Sequence, residues 1–311
     1  MELALINVNL LPGFVDSHTH FVAYGLGLSR LDFKDTKSIS EALEMIGERV
    51  RASEKGELII GEGWDQSRWR EGRYLSKEEL DSVAPDNPVV TRRVCGHLAV
   101  ANSEALDLLA KDMPGVDRET GTLSDDLALN LNRLFPPPRE ELLEGLRLAV
   151  KEAHSLGVTS VHDIVSSEYL RAYQEMNERG ELRLRVYACF YEDYLDHLIG
   201  LGLRTQFGDN LLKLGGIKIF ADGSLGAKSA ALSSPYEDGG GKVGLLAHSD
   251  KDLKRVVEKA DHAGMQVLAH AIGDRAIGQV LDSYENVVKG RGNPLRHRIE
   301  HMELPTGEHL R

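Results

Sequence analysis

Two histidines one residue apart, in Asp16-Ser17-His18-Thr19-His20, are the first residues whose types and spacing suggest chemistry. Side chains alternate along an extended strand, so His18 and His20 share one side with Cβ atoms roughly 7 Å apart. Two imidazoles at that separation can each turn one ring nitrogen toward a shared divalent cation. A pair of this kind also arises by chance, as two polar residues at a strand end. Two further histidines shift the balance. His270 closes the apolar run QVLAH, and His301 closes RHRIEH. Imidazole donors suit zinc, iron, nickel or copper better than magnesium or calcium, and two cysteines cannot supply a competing thiolate cluster.

Lys218 is the third signal. It stands inside GGIKIFADGS, a run that reads as a buried strand. An ammonium there is costly to desolvate unless it is paired or neutralised. The bland readings are an ion pair with Asp222 or a stem that carries the amine to the rim. The functional reading is a neutral or chemically modified lysine beside a metal.

The surrounding pattern says what must hold these residues. Strands are expected at 13–18, 57–61, 88–94, 157–163, 183–190, 214–221, 266–270 and 296–301. Helical spacing appears at 38–52, 103–111, 140–155, 167–179, 250–263 and 274–288. Such alternation indicates βα units around a parallel sheet, an α/β fold. The C-terminal strand ends are where (β/α)-barrels carry their sites, and His20, His270 and His301 fall there. The expected organisation is a first barrel strand and helix in 1–54, an insertion subdomain in 55–137 ending at Pro136–Pro138, and the remaining barrel units in 138–311. Residues 223–248, rich in Gly and Ser, read as a long loop of the kind that usually has a function.

Composition narrows the classes. The 311 residues carry 37 Lys+Arg against 49 Asp+Glu, a net charge of −12, with 41% apolar residues. That balance supports a large core and disfavours nucleic acid or anionic lipid as a partner. No apolar run has the length of a membrane span, and MELALINVNLLPGF reads as a strand rather than a leader. Two cysteines fit a reducing cytoplasm.

Seven segments in order make a resemblance specific: LPGFVDSHTH, GWDQSRW, CGHLAVANSEAL, GVTSVHD, GGIKIFADGSLGAKSAAL, VLAHAIGDRA and RHRIEHMEL. The chain resembles the metal-dependent amidohydrolase superfamily and, within it, amidohydrolase family 3, the YtcJ-like branch. The resemblance implies a distorted (β/α)8 TIM barrel with one or two divalent metals, usually zinc, that hydrolyses amide or related C–N bonds of small molecules. It implies His18 and His20 as ligands of the more buried metal and His270 and His301 as ligands of the second. Lys218, as a carbamate formed with CO₂, would bridge the two. His97 would reach the substrate carbonyl, or else be a surface histidine near a helix start. Trp64, Asp65 and Trp69 would form an aromatic wall, or the tryptophans would be the insertion's own core. Asp222, Gly223 and Ser224 would shape the turn after the lysine strand, with Asp222 orienting Lys218 or a ligand histidine. Asp274 is expected to N-cap the helix after His270. Asp163, beside His162, is a rim residue without an assigned role.

The chain also departs from the family pattern. Only 17 residues precede His18, and six core strands can be counted before Arg311. The barrel is therefore expected to be incomplete, without the aspartate that the last strand normally supplies. Three explanations compete: a truncated chain, an enzyme completed by another polypeptide, and a metal-binding component without turnover. A homo-oligomer burying the open edge is a further expectation. The leading expectation is a metal-dependent hydrolase of a non-peptide C–N bond; the rivals are a non-catalytic assembly component, an esterase and a deaminase.

Overall fold

Six of the apolar runs form one parallel sheet whose strand order is the order of the chain. The strands are Phe14–Thr19, Val158–Val165, Arg185–Tyr191, Leu212–Phe220, Val267–Ala271 and Arg298–His301, and each pairs in parallel with the next. The sheet curls into a nearly closed barrel, so the expected six-stranded α/β barrel is the observed one. This is a computed structural model, and it describes residues 11–124, 126–237 and 240–311. The expected N-terminal strand falls largely on residues 1–10, outside the described residues.

Helices cover the sheet for the reason their patterns suggest. Helix Asp250–His262 buries Leu253, Val257 and Ala260, one stripe of a 3.6-residue period, and Ser249 caps it by accepting from the Asp252 N–H at 3.2 Å. Helix Asp274–Val288 buries Ala276, Ile277, Val280, Tyr284 and Val287 in the same manner. Its N-cap is Gly273, and Asp274 is its first residue, which corrects the expected capping role. The Asp274 carboxylate instead accepts from the Ser233 N–H at 2.9 Å and from the Ser233 hydroxyl. It thereby ties the 223–248 loop to the helix.

The chain divides into two compact units: Met1–Phe21 with Val150–Arg311, which holds the barrel sheet, and Val22–Ala149. The second unit is wider than the expected insertion at 55–137, and Pro136–Pro138 lies within it. Close backbone packing explains part of the difference. A Cβ on Gly25 would stand 2.3 Å from the Gly145 carbonyl oxygen, so two glycines let the helices Phe21–Ser29 and Arg139–Ser155 touch inside this unit. The unit has its own six-stranded mixed sheet, ordered Leu31–Asp32, Ile59–Trp64, Val89–Arg93, Leu98–Ala101, Thr122–Ser124 and Val116–Asp117. Helix Ile39–Ala52 packs Ile39, Ala42 and Ile46 into a core shared with Phe33, Trp64 and Leu80. The helix expected at 103–111 stops at Asp107, because the Arg118 guanidinium takes the carbonyls of Leu109, Ala110 and Lys111 at 2.8, 3.1 and 3.2 Å.

Candidate metal centre

Register decides which side chains share the barrel interior. Lys218 pairs with Leu268, Leu268 with Arg298, Phe220 with His270, and His270 with Glu300. Residues abreast in a parallel sheet point the same way, as do residues two apart on one strand. Lys218, Phe220, His270, Arg298 and Glu300 therefore share one face. His301 has the opposite parity and would point away from that face in a regular strand. It does not, because His301 and Met302 adopt positive φ of 70° and 49°, a left-handed turn that costs free energy in non-glycine residues. The turn brings the His301 ring centroid to 4.7 Å from that of His270 and 4.9 Å from that of His18. His18 and His20 stand 6.0 Å apart. Four rings from three strand ends thus form an unbroken series of neighbours.

These rings pack edge to face. Among the described residues, no three His, Cys, Asp or Glu side chains are already grouped as the ligands of one ion. The donor chemistry nevertheless fits a divalent metal. His301 and His20 are exposed at the rim, yet partial desolvation of their rings lowers both pKa values: that of His301 to about 4, with His270 and Lys218 reinforcing it, and that of His20 with His18 and Lys218 reinforcing it. Burial also lowers that of His270, partly offset by its bond to Gly223. Neutral imidazoles with a free lone pair are the form a metal binds.

Lys218 is 2% exposed, with its amine 5.1 Å from the Phe220 ring centroid. Burial lowers its pKa to about 8, against the pull of the Glu300 charge. The expected orientation by Asp222 is corrected in part. Asp222 accepts backbone N–H bonds from Ala231, Ile272 and Gly273 at 2.9, 3.0 and 2.8 Å, and its nearest ionisable neighbour is His270 Nε2 at 3.6 Å. It is committed to the backbone of the His270 turn and the 223–248 loop rather than to Lys218. His270 Nε2 lies 2.8 Å from the Gly223 carbonyl oxygen, which can only accept, so Nε2 carries the hydrogen and Nδ1 the lone pair. Asp163 also acquires a role: fully buried, it accepts from the Phe21 N–H at 2.7 Å and the Tyr173 hydroxyl at 2.8 Å, fixing the chain just after His20.

Two residues that the motif reading passed over complete the arrangement. Glu300, 7% exposed, contacts His18 Nδ1 with one oxygen and Arg298 Nε with the other. Arg298 also donates to the Ser17 carbonyl at 2.6 Å and to His162 Nδ1 at 3.0 Å. The signal was present: a carboxylate inside a buried strand is as anomalous as Lys218, and period two puts Arg298 and Glu300 on one face.

The remaining expected residues lie in the other unit. His97 is exposed on the turn between the strands Val89–Arg93 and Leu98–Ala101. Trp64 is 0% exposed and stacks on Trp69 at 5.4 Å, while the Trp69 indole donates to Thr36 at 2.9 Å. The rings are core, so the expected aromatic wall and the substrate-binding role of Trp64 are corrected. Asp65 caps its own turn by accepting from the Ser67 N–H at 3.1 Å. A cleft of about 460 Å³ in this unit is lined by Asp32, Glu62, Arg92, Arg93 and Cys95 among others.

The sequence profile of the amidohydrolase family matches residues 6–310. The chain belongs to that family. It is 32% identical to the amidohydrolase-named YtcJ protein of Bacillus subtilis, over 99% of this chain and 61% of that protein. It is 26% identical to the N-substituted formamide deformylase of Arthrobacter pascens, over 94% and 58% respectively. Among solved structures, a metal-dependent hydrolase from Pyrococcus horikoshii superposes with a TM-score of 0.83 at 33% identity, covering 96% of this chain and 60% of that one. A second, from Pyrococcus furiosus, gives 0.82 at 34% identity, covering 96% and 62%. The chain thus spans about 60% of the length of these relatives. No helix among the described residues is long and apolar enough to cross a membrane.

Proposed function

We infer that this chain hydrolyses a C–N bond, an amide or N-acyl linkage, in a small molecule with the help of a divalent metal, zinc being the leading candidate. The observation that carries this reading is the convergence of His18, His20, His270 and His301 at one end of the barrel sheet, over the buried Lys218. The four imidazoles would hold the ion, one or two in number. A metal bound there supplies positive charge that eases deprotonation of water and polarises a carbonyl.

The chain's own residues prepare that chemistry. Burial lowers the Lys218 pKa to about 8, which brings the neutral amine within reach near neutral pH. A neutral Lys218 amine can add to CO₂, forming an N–C bond and releasing one proton, and the resulting carbamate is an anionic oxygen donor. Asp222 and Gly223 hold His270 in one tautomer, and Asp163 holds the turn after His20.

Purified protein reconstituted with Zn²⁺ and offered N-acyl amides, esters and aminated heterocycles separates the chemistries. Turnover of amides, abolished by a chelator and by His270→Ala, supports the reading. Turnover of esters or heterocycles alone, or none in metal-loaded protein, overturns it.

One observation favours a second reading, a barrel covered by a partner or by a second copy. The first strand is a sheet edge and leaves Phe14 and Val15 61% and 56% exposed. A solution mass equal to one active chain argues against it; a stable oligomer or heteromer argues for it.

A further inference from the structure

Glu300 spends both of its oxygens on neighbours inside the barrel: one faces His18 Nδ1, the other Arg298 Nε. A carboxylate beside a guanidinium is ionised and can only accept. The hydrogen in the His18 contact therefore sits on Nδ1, and the lone pair of a neutral ring is left on Nε2. Arg298 cannot drift from this task, because its other nitrogens reach Ser17 O at 2.6 Å and His162 Nδ1 at 3.0 Å. Those three partners come from the first, second and last strands of the sheet. The last strand thus sets both the height of the first strand and the rotation of the ring it carries.

We propose that Glu300, braced by Arg298, is the positioning residue that fixes His18 with Nδ1 protonated and Nε2 turned to a metal. This rests on the reading of His18 as a ligand. Outer partners of this kind orient a ligand ring, and their loss typically weakens metal binding by about 10–100-fold. A merely structural ion pair between Arg298 and Glu300 would leave the His18 tautomer alone.

The test is ¹⁵N NMR of the histidine rings in metal-free protein, with His18 assigned by the signals missing in His18→Gln. Zn²⁺ affinity is then measured by competition with a chelator. The wild type is expected to show a single His18 tautomer with hydrogen on Nδ1. Glu300→Gln retains an acceptor oxygen and should keep that tautomer and most of the affinity. Glu300→Leu should mix the tautomers and bind Zn²⁺ at least tenfold more weakly, with circular dichroism confirming the fold. The wild-type measurement suffices if Glu300→Leu fails to fold: hydrogen on Nε2 overturns the proposal. So does an unchanged tautomer and affinity in Glu300→Leu, or a Glu300→Gln protein that keeps the tautomer yet loses Zn²⁺ tenfold. A wild type with the expected tautomer that binds no Zn²⁺ removes the metal reading while upholding the Glu300–His18 contact itself.

Discussion

Arg298 on the last strand of the barrel sheet donates a 2.6 Å hydrogen bond to the carbonyl oxygen of Ser17 on the first. These are the two edge strands, and side chains rather than backbone pairing link them. The same guanidinium neutralises Glu300 and bonds His162. Truncating it removes three contacts and leaves a buried carboxylate without its cation. Arg298→Ala is expected to lower barrel stability by about 2–4 kcal/mol, read from urea unfolding. Arg298→Lys keeps the charge but loses the fork, so it should recover only part of the loss.

Asp163 is fully buried and accepts from the Phe21 N–H and the Tyr173 hydroxyl. Asp163→Ala strands buried donors, the Phe21 N–H and the Tyr173 hydroxyl among them, and should cost about 2–4 kcal/mol by the same assay. Asp163→Asn keeps one acceptor oxygen and should cost less. Equal losses in the two variants would show that packing, not hydrogen bonding, sets the effect.

Asp222 gathers three backbone N–H groups from the 223–248 loop and the turn after His270. Replacing it with alanine should speed amide hydrogen exchange at Ala231, Ile272 and Gly273 by more than about tenfold while leaving the Arg185–Tyr191 strand unaffected. Unchanged protection at those three amides would remove Asp222 as the anchor of the turn.

The pH dependence of stability has a defined sign at Asp261. Burial raises its pKa, but the hydrogen bonds from Arg291 and His297 outweigh that and leave it lowered. A lowered folded pKa contributes stability that is present above the ordinary aspartate value, about 3.9, and is lost as pH falls through the folded value. The stability gap between wild type and Asp261→Asn should be full near neutrality and shrink in acid, as followed by denaturation at stepped pH. A gap that widens in acid would contradict this.

Particular residues show how far the sequence could be read. The His270 strand was legible because an apolar run between turn residues leaves few alternatives: expected at 266–270, it is found at Val267–Ala271. Lys218 stood out because burying a charge is costly, and it is buried. The helix Phe21–Ser29 was missed, since FVAYGLGLS is apolar all round and has no helical stripe; its Gly25 answers to a tertiary contact. The inward turn of His301 was equally out of reach, because a positive φ in a histidine is imposed by surrounding structure. Trp64 had two readings in the sequence, and packing against Trp69 selected the bland one. Glu300 was legible by the argument applied to Lys218, but the four histidines drew the reading elsewhere.

The central claim is that these histidines share a metal, and metal content tests it most directly. Protein reconstituted with Zn²⁺, freed of unbound ion and assayed by mass spectrometry should hold roughly one or two ions per chain, with most lost in His18→Ala and in His270→Ala. A folded wild type that retains less than about a tenth of an equivalent of any transition metal would contradict the account.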